Sequence, residues 1–135
     1  MRTCHTTECI FEVADDWVDD TGYTYDHGDV RVVAGPFAPV SEWRLKVDEA
    51  LEKFRLSVPA YELLERRPID RPAPGAEIVA LKVGGKMKVF ELSIFWPIGE
   101  TVWVFRAKGP QAVEESCREA AESFLETYQP VDEEA

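Results

Sequence analysis

The sequence predicts an α+β domain, an antiparallel twisted sheet flanked by two main helices, on three observations. Between Ala76 and Lys108, "AEIVALKVGGKMKVFELSIFWPIGETVWVFRAK" is rich in β-branched and aromatic residues. Two turn signals, Gly84-Gly85 and Pro97-Ile98-Gly99, cut it into a three-stranded meander. On either side, from Ser41 and from Gly109, apolar residues recur at helical spacing instead. No segment repeats another, and a chain of 135 residues fits one domain, here residues 1–130 followed by an acidic tail at 131–135.

In chain order, "CIFEVADDW" gives a short strand over 9–14 that stops at the Asp15-Asp16 turn signal. "GYTYD" and "DVRVVAG" are two further strands, with "DHGD" at 26–29 as the hairpin between them. Trp43, Val47, Leu51, Phe54 and Val58 then form one stripe of an amphipathic helix, with Ser41 as its N-cap and Pro59 as its stop. "YELLERRPID" is a strand that runs into the Pro/Gly-rich connection at 71–75 and the meander. Gly109-Pro110 opens the last helix, whose apolar stripe is Val113, Cys117, Ala120, Ala121, Phe124 and Tyr128.

Loop length fixes which meander residues share a face, because side chains alternate along a strand. A two-residue loop at Gly84-Gly85 sets Val79 opposite Phe90, and a three-residue loop at Pro97-Ile98-Gly99 sets Leu92 opposite Val104. One face then collects Val79, Leu81, Val83, Phe90, Leu92, Ile94, Val102 and Val104, an aliphatic layer suited to a packed core. The other collects Ala76, Ile78, Ala80, Met87, Val89, Glu91, Ser93, Phe95, Thr101, Trp103 and Phe105, a mixture of small, aromatic and polar groups. Either the second helix roofs this mixed face, or part of it stays open as an apolar groove for a partner.

Composition narrows the function. A net charge of −11 disfavours nucleic acid and anionic lipid, both of which are held by Lys and Arg. The N-terminus carries no signal-peptide pattern and no run of 18 apolar residues occurs, so the expected location is the cytoplasm. The 3 cysteines then read as free thiols. Cys4, His5 and Cys9 lack a second ligand pair at zinc spacing, and the aspartates between Asp15 and Asp29 lack the pattern of a calcium loop. Gly84-Gly85-Lys86 joins strand to strand and opens no helix, which argues against a phosphate loop. No metal, cofactor or catalytic residue is expected; an enzyme would have to work through Cys4, Cys9 or His27 without a recognisable triad.

Two stretches carry a resemblance. "FEVADDWVDDTGYTY" is similar to an opening strand followed by a P-x-G-W-x-D-x-T/S turn. "YELLERRPIDRPAPGAEIVALKVGGKMKVFELSIFWPIGETVWVFRAKGP" resembles the E-R-R, G-x-x-A-x-x-L, Q-x-Q-x-F and V-L-x-L-T-A succession of DcrB-like proteins, which have the PsbP-like α/β/α sandwich. The Eag-type branch of that family implies a homodimeric cytoplasmic chaperone, not an enzyme, that shields the N-terminal transmembrane segment of a type VI secretion effector. Burying such a segment in an apolar groove is favourable by about 25 cal/mol per Å². The mixed face supplies the candidate client-binding residues Ile78, Val89, Glu91, Phe95, Trp103 and Phe105. A general protein-interaction module of the same fold, without transmembrane clients, is the alternative.

Overall fold

The computed structural model describes residues 2–5, 9–13, 18–21, 24–27, 29–57, 60–84 and 88–130, those before 29 and residue 130 as backbone. Among the described residues there are ten strands and two α-helices. β1 (Arg2–His5), β2 (Cys9–Val13), β3 (Val18–Thr21), β4 (Thr24–His27) and β5 (Val30–Pro39) precede α1 (Trp43–Ser57). β6 (Glu62–Ile69), β7 (Ala76–Val83), β8 (Val89–Ile98) and β9 (Thr101–Pro110) lead through a 3-10 turn to α2 (Glu114–Thr127) and β10 (Gln129–Pro130).

The main sheet is antiparallel with strand order β3-β4-β5-β9-β8-β7-β6, its five long members β5 to β6 forming the body. A small second sheet, β1-β2-β10, lies against α2. The α+β class, an antiparallel sheet flanked by two main helices, is thus the observed one. The expected strands at 9–14, at "GYTYD" and at "DVRVVAG" correspond to β2, β4 and β5, and His27 pairs with Val30 where "DHGD" predicts the hairpin. Asp15, Asp16, Val58, Pro59, Met87 and the tail at 131–135 lie outside the described residues.

Both helices use the stripes that their periodicity predicts. On α2, Cys117, Ala120, Ala121 and Phe124 are buried, with Val113 and Tyr128 packed at the edge of the same cluster. On α1, Trp43 and Val47 are buried, while Leu51 and Phe54 are half-buried. The helix starts differ from expectation. Lys46 N–H donates to Glu42 O at 3.1 Å, so the chain enters α1 through Glu42 and not through Ser41. Gly109-Pro110 closes β9 rather than opening α2, because both residues still pair with β8, Phe90 with Gly109 and Val89 with Pro110.

The meander registers also differ, and the difference decides the faces. Val83 pairs with Val89, so five residues and not two join β7 to β8. Gly84 serves close approach here: a Cβ on it would sit 2.6 Å from Ala60 Cβ. Ile98 pairs with Thr101, leaving Gly99-Glu100 as a two-residue turn with Gly99 at φ +62°. Pro97 is tolerated inside β8 because it reaches past the start of β7 at Ala76, where β8 has no ladder partner on that side.

Val79 therefore faces Ser93 rather than Phe90, and Ile94 faces Phe105 rather than Val102. Each correction is an odd number of residues, which turns all of β8 over relative to its neighbours. Ala76, Ile78 and Ala80 still share a face with Trp103 and Phe105, but they are joined by Phe90, Leu92, Ile94 and Trp96 and are roofed by α2. In the middle of that core, the Phe105 and Phe124 rings stack with centroids 4.3 Å apart, and Trp96 lies 5.1 Å from Phe124. Aromatic pairs of this kind add about 0.5–1.5 kcal/mol each beyond their burial. Trp96 Nε1 donates to Tyr128 Oη at 3.1 Å, which satisfies a buried indole and ties the end of α2 to the sheet.

Candidate interaction surface

The opposite face, under α1, is assembled row by row from the ladder. Gly35, Val104, Phe95 and Glu77 form one row across β5, β9, β8 and β7. Val33, Arg106, Ser93 and Val79 form the next, and Arg31, Lys108, Glu91 and Leu81 the one beyond. Apolar character is concentrated at one end. Ala38, Trp43, Val47, Val79, Phe95, Val102 and Val104 make a second, smaller core, with the Phe95 ring 4.9 Å from Phe37 and 5.8 Å from Trp43.

Charge fastens α1 to this face. Arg66 on β6 donates from Nε to Glu77 Oε1 at 2.9 Å and from Nη1 to Asp48 on α1 at 2.6 Å, while Arg44 on α1 stands 4.0 Å from Glu77 Oε2. Glu77 is thereby buried with partners rather than alone. These carboxylates hold the Arg66 guanidinium above its ordinary pKa against the opposing effect of its partial burial.

α1 does not reach the other end of the face. A small cavity of about 30 Å³ lies at its margin between Leu51, Phe54, Leu81 and the polar trio Glu91, Ser93 and Arg106, room for a single water. Beyond it, Val33, Arg31 and Lys108 are exposed and Val89 half-buried. An open cleft of about 500 Å³ begins there, with Asp29, Arg31, Lys88, Val89, Lys108, Gly109 and Pro110 in its lining. Gln111 holds its end in place, donating from N to Lys88 O and from Nε2 to Val83 O, both at 2.8 Å.

The six candidate client-binding residues do not share one surface. Ile78, Trp103 and Phe105 are buried under α2; Phe95 is buried under α1; Glu91 is 9% exposed at the margin of the small cavity; Val89 alone borders the open cleft. The basic residues Arg31, Lys88 and Lys108 were not among them. Their signal in the sequence is faint but present: Lys88 directly precedes β8, Arg106-x-Lys108 lies near the end of β9 and Arg31 near the start of β5, so antiparallel pairing sets Arg31 opposite Lys108, with Asp26 and Glu91 as their outer neighbours in the ladder.

Other chemistry is sparse. Among the described residues no three His, Cys, Asp or Glu side chains converge as metal ligands. Burial pushes the Cys117 thiol up to about 11, with the Glu114 carboxylate adding to the effect, so at neutral pH it is a packed thiol and not a nucleophile. No helix among the described residues is long and apolar enough to cross a membrane.

Solved structures with this architecture place it. A Pseudomonas aeruginosa protein of unknown function, PA94, described as a putative regulator, superposes with TM-score 0.58 at 15% identity over 91% of this chain and 94% of its own. The Saccharomyces cerevisiae Ran-binding protein Mog1p gives 0.58 at 10% identity over 92% and 90%. Cyanobacterial PsbP from Synechocystis gives 0.54 at 11% over 90% and 86%. No protein-family model matches the sequence, and no curated protein matches it significantly. The chain has the Mog1/PsbP-like α+β fold.

Proposed function

We propose that this chain is a non-catalytic protein-interaction module that receives its partner on the α1 side of the sheet. The observation that carries this reading is the inequality of the two faces: α2 buries the middle of one under a continuous aromatic and aliphatic cluster, whereas α1 leaves the Val33, Arg31 and Lys108 end of the other accessible. A rigid five-stranded scaffold with one half-covered face suits binding better than chemistry. That a member of the fold is a Ran-binding protein supports the use of this scaffold for protein partners. Photocrosslinkers placed at Val33 or Val89 are expected to capture a protein partner, and one at Glu122 on α2 is not. Equal capture from both sides, or none from Val33 and Val89, would count against it.

The finer form of the proposal is a cytoplasmic, homodimeric chaperone of the DcrB-like, Eag-type kind, with the N-terminal transmembrane segment of a type VI secretion effector as client. The exposed Leu45 and Leu56 on α1, 60% and 71% accessible, and Val33 beside the cleft support an apolar client. Such a helix would have to lie on this outer surface, since Ile78, Trp103 and Phe105 are already occupied by α2. Co-expression with an effector's N-terminal segment is expected to keep that segment soluble. Val33→Asp and Leu56→Asp should undo the effect without unfolding the chain. A segment that stays insoluble beside the wild-type chain removes the chaperone reading and leaves the module reading standing.

A further inference from the structure

The two halves of α1 are held to the sheet by different means. The N-terminal half carries both buried residues of the helix, Trp43 and Val47, and its polar ties to the sheet: Arg66 Nη1 donates to Asp48 Oδ1 at 2.6 Å, and Arg44 Nε stands 4.0 Å from Glu77 Oε2. Just ahead of the helix, Val40 N donates to Glu100 O at 2.8 Å. Beyond Asp48 such ties stop. Among the described residues, the side-chain hydrogen bonds and ion pairs of residues 49–57 stay inside the helix, Arg55 with Glu52 and Ser57 with Lys53 O. Leu51 and Phe54 are only half-buried, and the Phe54 ring stacks on Tyr61, next to the start of β6, with centroids 6.4 Å apart. α2 shows no such division, because Cys117, Ala120, Ala121 and Phe124 are buried along most of its length.

The sheet beneath the loose half is not a closed core. The small cavity lies there, bordered by Ala50, Leu51 and Phe54 from the helix and by Val79 and Leu81 from β7. Glu91, 9% exposed, and Ser93, 3% exposed, border the same space, and the Glu91 carboxylate stands 3.7 Å from Arg106 Nε, too far for a hydrogen bond. A carboxylate kept from water under the apolar side of a helix disfavours the closed arrangement and regains hydration when the cover lifts. Resting on the module reading, we infer that the C-terminal half of α1, residues 49–57, is a lid that lifts from the sheet about the Trp43–Asp48 anchor. Lifting uncovers Leu81 and Val79, and Val79 lies in the same cross-strand row as the exposed Val33, so the apolar surface offered to a partner grows continuously from the open end. A half-helix with half-buried side chains and no polar tie to the sheet opens at lower free energy than the anchored half or the whole domain.

The test uses the full chain with Cys4→Ser and Cys9→Ser, so that Cys117, buried under α2, reports global opening. To this background is added either Leu81→Cys, at the cavity beneath the lid, or Val102→Cys, in the Trp43 cluster at the anchor. Labelling of the native chain by a thiol reagent is expected to modify Leu81→Cys at least about tenfold faster than Cys117, at a rate that low urea scarcely changes, the mark of a local opening. Val102→Cys should keep pace with Cys117. Phe54→Ala should speed labelling at position 81 and leave position 102 unchanged, and cooperative urea unfolding with Cys117 still protected shows that each variant is folded. Labelling of Leu81→Cys only at the Cys117 rate, or equally fast labelling of Leu81→Cys and Val102→Cys, would overturn the inference. Either of those results leaves capture from Val33 as the separate test of the module reading, whereas fast labelling at position 81 with no capture from Val33 keeps the lid and removes the partner.

Discussion

Arg106 donates from Nε to Ser93 Oγ at 2.9 Å, a hydrogen bond between neighbouring strands at the point where the covered end of the sheet face gives way to the open one. Ser93 is buried, Glu91 beside it is nearly so, and α1 ends its coverage here. Ser93→Ala should lower stability by about 1 kcal/mol, the worth of one such bond. Glu91→Ala should cost about as much and also remove the carboxylate 3.7 Å from Arg106 Nε. Urea unfolding measures both, and a stabilised Glu91→Ala would show that Arg106 does not depend on it.

The two sides of the sheet should differ in resistance to unfolding. Phe124 is fully buried between Phe105, Trp96 and Tyr128, and Phe124→Ala is expected to cost about 3–5 kcal/mol, enough to release α2. Leu51 on α1 is only half-buried, and Leu51→Ala should cost roughly half as much or less. Amide exchange should accordingly be faster in α1 than in α2. Equal protection of the two helices would contradict this ordering.

The Arg66–Glu77 pair holds α1 to the sheet, with Asp48 and Arg44 completing the network. Glu77→Ala strips the part-buried Arg66 of its ladder-side partner and should destabilise by about 2–3 kcal/mol. Glu77→Gln, which keeps an acceptor oxygen, should recover part of the loss. Double-mutant cycles with Arg66→Ala would measure the coupling, and additive effects would show that the pair is not a unit.

Cys117 should behave as a gauge of global unfolding. Its folded-state pKa, about 11, lies above the ordinary value of 9.0, so the folded state keeps the proton longer than the unfolded state does. The stability this contributes is fully present below pH 9 and is lost as pH rises toward about 11. In a Cys4→Ser, Cys9→Ser background, thiol-reagent labelling at pH 8 should proceed at the rate of chain opening. Rapid labelling of the native chain would show that the thiol is accessible.

Two glycines carry steric demands that can be checked directly. A side chain on Gly109 meets backbone at 2.9 Å, and one on Gly84 meets Ala60 Cβ at 2.6 Å. Gly109→Ala and Gly84→Ala should each lower the unfolding midpoint, by an amount in the range of about 1–3 kcal/mol typical of overpacking. Gly99→Ala, with open space around it but φ at +62°, should cost about 1 kcal/mol through backbone strain alone.

The sequence by itself determined what depends on neighbours along the chain: the α+β class, the stripes of Trp43, Val47 and Leu51 and of Cys117, Ala121 and Phe124, and the full extent of β7. Helical and strand periods are local, so residues a turn apart suffice to reveal them. Tertiary structure alone decided the register of β8. Gly84 looked like a hairpin residue but answers to Ala60, and Pro97 looked like a turn residue but lies where β7 has not yet begun. Each misreading shifts a pairing by three residues, and an odd shift moves Val89, Glu91 and Phe95 to the face opposite Ile78, Trp103 and Phe105. β7 and β9, turned over twice, still share a face. The cleft beyond α1 has the same origin: Arg31 and Lys108 stand far apart in the chain, and only the β5–β9 ladder makes them neighbours.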